Sequence, residues 1–245
     1  MAKKYIRYWF SALPFTVALK VLAAYLFTKI FNNSLSFYFS QTGEDIILST
    51  LINKEDGVYI DVGCNEPIKK SNTFLFYLKR WKGITIDANE DLIKKHKKIR
   101  KRDKAILAAV SNTVKEVTFY KSEQNAVSTI SENFYNENKS KWDYSETQIL
   151  HTKTLTSILN ENLEKGTVID LLTIDVEGID LEVLEGINFK LYRPKMIVVE
   201  AHGFSFDNIE QNSIYQLLVA NNYTLHGFAI MNAYFKDAEL SNNNL

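Results

Sequence analysis

The stretch Gly57-Val58-Tyr59-Ile60-Asp61-Val62-Gly63-Cys64-Asn65-Glu66-Pro67 constrains this chain more than any other. Val58, Tyr59, Ile60 and Val62 are β-branched or aromatic, the composition of a strand buried on both faces. Asp61 and Gly63 fall at its carboxyl end, where the backbone must turn and a residue without a side chain lets a ligand approach. A second strand, Gly83-Ile84-Thr85-Ile86-Asp87-Ala88-Asn89, follows after a helix-length interval and also ends in an acid. In open α/β sheets ligands bind beyond the carboxyl ends of the strands, and an acid there accepts hydrogen bonds from ribose hydroxyls. The unit therefore reads as a nucleoside-binding βαβ. Pro67 occupies the place of the third glycine of a dinucleotide fingerprint, which argues against NAD and its pyrophosphate. A nucleoside without phosphate, such as S-adenosylmethionine (SAM), tolerates it.

Further strands alternate with helices along the chain. Ala105 to Ser111 reads as a third buried strand. Val117 to Tyr120 and Ala126 to Ile130 read as a hairpin with Glu123-Gln124-Asn125 at its tip. Ser131 to Thr152 is polar and reads as a cover over the site. Val168 to Gly178 is a fourth strand, Met196 to His202 a fifth, and Tyr223 to Ile230 a last strand or strand pair. Helices are expected near Ile46–Ile52, Phe74–Trp81, Leu92–Lys101, Leu155–Leu159, Leu181–Gly186 and Ile214–Ala220. Such alternation gives an α/β fold with a mostly parallel central sheet and helices on both faces.

Of 245 residues 46% are apolar, so a large core is available, and 29 basic residues balance 29 acidic ones. No global field favours nucleic acid. The runs Lys94-Lys95-His96-Lys97-Lys98 and Arg100-Lys101-Arg102 have the spacing of a solvated helix face. Cys64 is the only cysteine, which excludes an intrachain disulfide and a cysteine-rich zinc site and fits a reducing compartment.

Residues 1–33 differ from the rest, being basic, aromatic and apolar. Lys20 interrupts the apolar run and Pro14 kinks it, so it is a poor spanning helix. Three readings stand: a helix in the membrane interface with Trp9 among its aromatics, a helix packed on the domain or a second subunit, and a true span. The expected division is an N-terminal helical segment 1–33, a catalytic domain 34–240 and a polar tail 241–245. On the interface reading, Lys3 to Phe31 hold the protein at the cytoplasmic face of the membrane.

The chain resembles the FkbM family of SAM-dependent methyltransferases. The resemblance is carried by Ser40-Gln41-x-Gly43-Glu44-Asp45, by Tyr59 to Asn65 with Pro67, and by Ser71-Asn72-Thr73. It continues through Trp81-x-Gly83-Ile84, Ser128-Thr129, Thr154-Leu155, Ile174-Asp175-Val176-Glu177-Gly178, and Arg193-Pro194 leading to Val199-Glu200. These pieces come in the family's order across Ser40 to Glu200. Cys64 departs from it, alanine being commoner there. The resemblance implies a Rossmann-like class I methyltransferase fold, SAM as donor, a cytoplasmic catalytic domain, and O-methylation of a sugar, glycan precursor or other hydroxylated small molecule.

The candidate donor-binding residues are Gln41, Asp61, Gly63, Cys64, Asn65, Asp87, Ala88 and Ser111. Methyl transfer to an alcohol needs donor and acceptor held in line and a base for the hydroxyl proton. Asp175 and Glu177 at the end of the fourth strand, and Glu200 and His202 at the end of the fifth, are the candidates. Two mechanisms fit. His202 takes the proton, oriented by Glu200 or Asp175. Alternatively Asp175, Glu177 and Glu200 hold Mg²⁺ or Ca²⁺, which acidifies the hydroxyl. The competing classes are a nucleoside-binding protein without catalysis and an NAD-dependent reductase, the latter disfavoured by the missing glycine and the lack of a Tyr-x-x-x-Lys pair.

Overall fold

The computed structural model describes residues 3–30 and 37–241. The strands in chain order are β1 (Val58–Val62), β2 (Lys82–Asp87), β3 (Lys104–Leu107), β4 (Ala109–Val110), β5 (Glu116–Ser122), β6 (Tyr144–Lys153), β7 (Leu171–Ile174), β8 (Met196–Glu200), β9 (Tyr223–Ala229) and β10 (Asn232–Asp237). Seven of them form one sheet in the order β3-β2-β1-β7-β8-β10-β9. All run parallel except β10, which is antiparallel to both neighbours. This is the Rossmann-like class I arrangement expected, and Asp61, Asp87 and Asp175 do lie on adjacent strands or just beyond one.

The helices are α1 (Lys3–Ala12), α2 (Phe15–Ile30), α3 (Glu44–Ile52), α4 (Phe74–Leu78), α5 (Glu90–Ile99), α6 (Glu132–Asn138), α7 (Leu155–Asn162), α8 (Asp180–Glu185), α9 (Ser213–Ala220) and α10 (Ala238–Ser241). Side chains alternate across the strands, so each run feeds two cores. Ile60, Val62, Leu172, Ile174, Ile197 and Val199 pack with α7, α8 and α9. Tyr59, Leu171, Met196 and Val198 pack with Leu48 of α3 and Phe76 of α4. Burial on both faces is why these strands read as unbroken apolar runs.

Three expectations need correction. The third strand is two: β3 stays in the main sheet, Ala108 turns with its N–H on the Asp87 carbonyl at 3.0 Å, and β4 joins a second sheet, β4-β6-β5. The strand at Val117–Tyr120 pairs not with Ala126–Ile130 but with β6, antiparallel from Glu116↔His151 to Ser122↔Tyr144. Ala126–Ile130 contributes a 3₁₀ turn and a single bridge, Tyr120↔Thr129. The span Ser131–Thr152 is thus α6 and a long strand.

The basic run is the third correction. Arg100 is fully buried, its guanidinium between the rings of Tyr59 and Tyr77. It donates to Asp103 (2.8 Å), Ser71 (3.2 Å), Tyr59 (2.6 Å) and Thr73 (2.8 Å). Arg102 donates to the carbonyls of Trp81 and Tyr77. His96 is buried too, its Nε2 at 2.9 Å from the Asn65 carbonyl.

The N-terminal segment forms two helices, because Pro14 cannot continue the first. α1 packs on the domain. Tyr5, Trp9, Ala12 and Leu13 are buried with Phe74, Tyr77 and Leu78. The Trp9 indole donates to the Leu78 carbonyl at 3.0 Å, and the Tyr77 hydroxyl donates to that of Ala12 at 2.9 Å. Trp9 is therefore a packing residue and is not available to a membrane. No helix among the described residues is long and apolar enough to cross one. The boundary at residues 33 and 34, and positions 242–245 of the polar tail, lie outside the described residues.

Candidate active site

The carboxyl ends of β1, β2, β7 and β8 meet one cleft, open to solvent, with a cavity of about 120 Å³. Among the described residues, seven non-glycines have positive φ, and four of them, Asn65, Lys70, Glu177 and Ile230, line this cleft. Backbone held in such conformations is concentrated where function demands a particular geometry.

At the β1–β2 end, the two Asp87 carboxylate oxygens each accept one backbone N–H, from Asn89 at 2.8 Å and Asn65 at 3.0 Å. Burial raises the Asp87 pKa to about 6 against the lowering effect of those bonds. One lone pair on each oxygen remains for a pair of ribose hydroxyls. Ala88 lines the cleft beside it, as do Asn65, Gly63 and Gln41. Gly63 is required by the protein itself: at φ +77° an added Cβ would stand 1.8 Å from the Asp175 carbonyl oxygen. Its bareness lets the ends of β1 and β7 close on each other, which is a different task from admitting a ligand.

Three candidates stand behind the cleft wall. Asp61 is buried, accepts the Thr73 hydroxyl and lies near Arg100. Cys64 is buried, where loss of water pushes its thiol pKa up. Ser111 is buried and donates to Glu182 at 2.6 Å. The cleft gains residues the sequence reading did not single out. Val110 and Phe119 offer an apolar wall suited to a base, and Asn125 bonds Asn89 at 3.2 Å, tying the 3₁₀ turn after β5 to the end of β2.

At the β7–β8 end the acids gather. Asp175, Glu177 and Glu200 line the cleft, and His202 stands at its edge with Nε2 3.1 Å from Glu200 Oε2. Asp180, rather than Glu177, closes the turn into α8, accepting N–H bonds from Val176 (3.1 Å) and Gly178 (3.2 Å). That leaves the Glu177 carboxylate free to face the cleft, at φ +56°. Its carbonyl accepts the Thr129 hydroxyl at 2.8 Å, so the second sheet fixes the acidic loop.

Crowded carboxylates cannot all ionise. Burial first, then Glu200 and Asp180, push Glu177 up to about 8. Burial, then Glu200 and Glu177, hold Asp175 well above the ordinary range. The hydrogen bond to Glu200 raises His202. At this end Asn232 Oδ1 is buried and makes no hydrogen bond, and Glu200 Oε2 has His202 beside it. Glu177, Glu200 and His202 also offer ligand atoms within 4.8 Å of one another; the two carboxylates suit a hard cation, whereas the His202 imidazole does not.

The FkbM methyltransferase domain model matches residues 61–236. A comparison with curated proteins finds no match. Among solved structures, a TehB-like SAM-dependent methyltransferase from Corynebacterium glutamicum is 12% identical, with 90% of this chain and 98% of that chain covered and a TM-score of 0.42. An O-methyltransferase from Bacillus cereus in complex with SAH (S-adenosylhomocysteine) is 11% identical, with 88% and 89% covered and a TM-score of 0.39. The domain match spans most of the chain and contains the carboxyl end of β1 and all of β2, β7 and β8 with the acids at their ends, so this chain belongs to the FkbM family and is a SAM-dependent methyltransferase.

Proposed function

We propose that the cleft moves a methyl group from SAM to a hydroxyl of a polyhydroxylated small molecule, a sugar or glycan precursor. The observation that carries this reading is the union in one cleft of a ribose-binding acid, Asp87, and a carboxylate, Glu177, poised at about 8. SAM supplies an electrophilic methyl on a sulfonium. Asp87 and Asn65 hold the ribose end, and Val110 and Phe119 flank the base. The acceptor oxygen forms the new bond to carbon, the sulfur keeps the electron pair of the broken bond, and Glu177 receives the hydroxyl proton. A base with a pKa near the working pH combines availability with driving force. His202 balances Glu200 and keeps the negative charge of the pair tolerable. The unpaired oxygen of Asn232 suits a further hydroxyl donor, which supports a polyhydroxylated acceptor over an apolar one.

The proximity of Glu177 and Glu200 favours a second reading, in which these carboxylates, with Asp175 beside them, would hold Mg²⁺ or Ca²⁺ as a Lewis acid for the hydroxyl, His202 lying outside the oxygen ligand set. Incubation with labelled SAM and a panel of sugar nucleotides and lipid-linked saccharides, with and without EDTA, tests both. Methyl incorporation into a hydroxyl that survives EDTA is the expected result. Loss with EDTA and recovery with Mg²⁺ selects the second reading. Incorporation only into amines or carboxylates overturns the choice of acceptor.

A further inference from the structure

We infer that α2 is a docking element for an anionic lipid surface. This rests on the N-terminal helices alone and is independent of the proposed acceptor. α1 buries much of its apolar face in the cluster it shares with the domain, whereas α2 leaves five large apolar side chains mostly or half exposed. Of its sixteen residues only Ala18 is fully buried. Val17, Val21 and Tyr25 pack against the cluster formed by α1, Phe74, Tyr77 and Leu78, with the Tyr25 ring edge-on to Trp9 at 6.0 Å. Phe15, Leu19, Leu26, Phe27 and Ile30 are 67%, 44%, 52%, 49% and 74% exposed. These are five of the 18 large hydrophobic side chains exposed among the described residues, held on one helix. Side chains exposed singly need no explanation, but a helix of them is an interaction surface.

Charge selects the occupant. From Met1 to Gly43 the sequence carries Lys3, Lys4, Arg7, Lys20 and Lys29 and no Asp or Glu, so this segment holds +5 and the remainder −5. Apolar side chains fringed by lysine, with no acid, match a bilayer bearing anionic headgroups. They match a second copy of the same helix poorly, since that apposition brings like charges together. At sixteen residues α2 is about 24 Å long, short of the hydrocarbon thickness, so it lies along the surface. Lys20 and Lys29 are exposed, and their stems can lie flat with the ammonium groups among the headgroups. The helix breaks at Pro14, whose carbonyl accepts the N–H groups of Val17 and Ala18 at 2.9 Å, and this turn sets α2 apart from the docked α1.

The test is co-sedimentation of the full chain with vesicles of phosphatidylcholine alone and of phosphatidylcholine mixed with phosphatidylglycerol. Binding to the mixed vesicles that weakens with salt is expected. Leu26→Glu with Phe27→Glu lowers it by about tenfold or more, and Lys20→Glu with Lys29→Glu removes the preference for the anionic vesicles. Unchanged SAH affinity in both variants shows that the domain is intact. Failure of the parent chain to sediment with mixed vesicles overturns the proposal, as does equal binding by the Leu26→Glu, Phe27→Glu variant. A dimer without lipid that the same variant converts to monomer assigns α2 to a second copy instead.

Discussion

Glu177→Gln lowers kcat for methyl transfer by about 10²- to 10⁴-fold and leaves donor affinity near that of the parent chain. The substitution keeps the shape and the hydrogen-bonding reach of the side chain and removes only its capacity to accept a proton. Thr129 holds the loop through the Glu177 carbonyl and Asp180 holds it through N–H groups, so the backbone at φ +56° does not depend on the carboxylate. The pH profile carries the sign. Burial and the neighbouring Glu200 and Asp180 raise Glu177 to about 8, so below that pH the residue is mostly protonated and cannot act as a base. In the parent chain kcat/KM therefore climbs with pH through about 8, and that limb disappears in Glu177→Gln. A variant that keeps both its rate and its limb removes Glu177 from the reaction.

Arg100→Leu is expected to destabilise the fold by about 3–5 kcal/mol, the range for a buried ion pair that loses one partner. Arg100 and Asp103 have no exposed side-chain surface, and the guanidinium also donates to Ser71, Tyr59 and Thr73. Without it Asp103 is left buried as a charge with only the Tyr59 hydroxyl and the Gly83 N–H, and Asp61 loses the cation that opposes the effect of burial. Arg100→Lys recovers little, because an ammonium cannot reproduce the fork that spans four partners. Urea denaturation followed by circular dichroism measures both. A loss under about 1 kcal/mol for Arg100→Leu contradicts this account of the network.

Arg100 marks the limit of what the sequence discloses. In the run Arg100-Lys101-Arg102 nothing distinguishes the two arginines, whose partners Tyr59, Thr73, Tyr77 and Trp81 come from distant parts of the chain, from the exposed Lys101. The strands that carry the site were legible, because β1, β2, β7 and β8 are buried on both faces and their β-branched runs end abruptly at acids. β6 was not: Ser145, Glu146, Thr147 and Gln148 are exposed, so its composition carries no period to read. Its partner strand was assigned to Ala126–Ile130 for the same reason, that segment being the nearest apolar run. Asp87 could be placed in the cleft from its position at a strand end. Asp61 has the same local signature yet points away, since its neighbours Thr73 and Arg100 decide its direction. The gathering of Glu177, Glu200 and His202 follows from the adjacency of β7 and β8, which a parallel sheet made foreseeable. The division of labour that frees Glu177 and gives the turn to Asp180 depends on loop backbone that no pattern encodes.

The donor site is tested most directly by isothermal titration of SAH, and separately of NAD, into the full chain and into Asp87→Ala. The account predicts saturable binding of SAH, no binding of NAD, and at least about tenfold weaker SAH binding in the variant. Two hydrogen bonds to a carboxylate, each worth about 1.5–3 kcal/mol, are lost there. Binding of NAD with no response to SAH, or equal SAH affinity in Asp87→Ala and the parent chain, would contradict it.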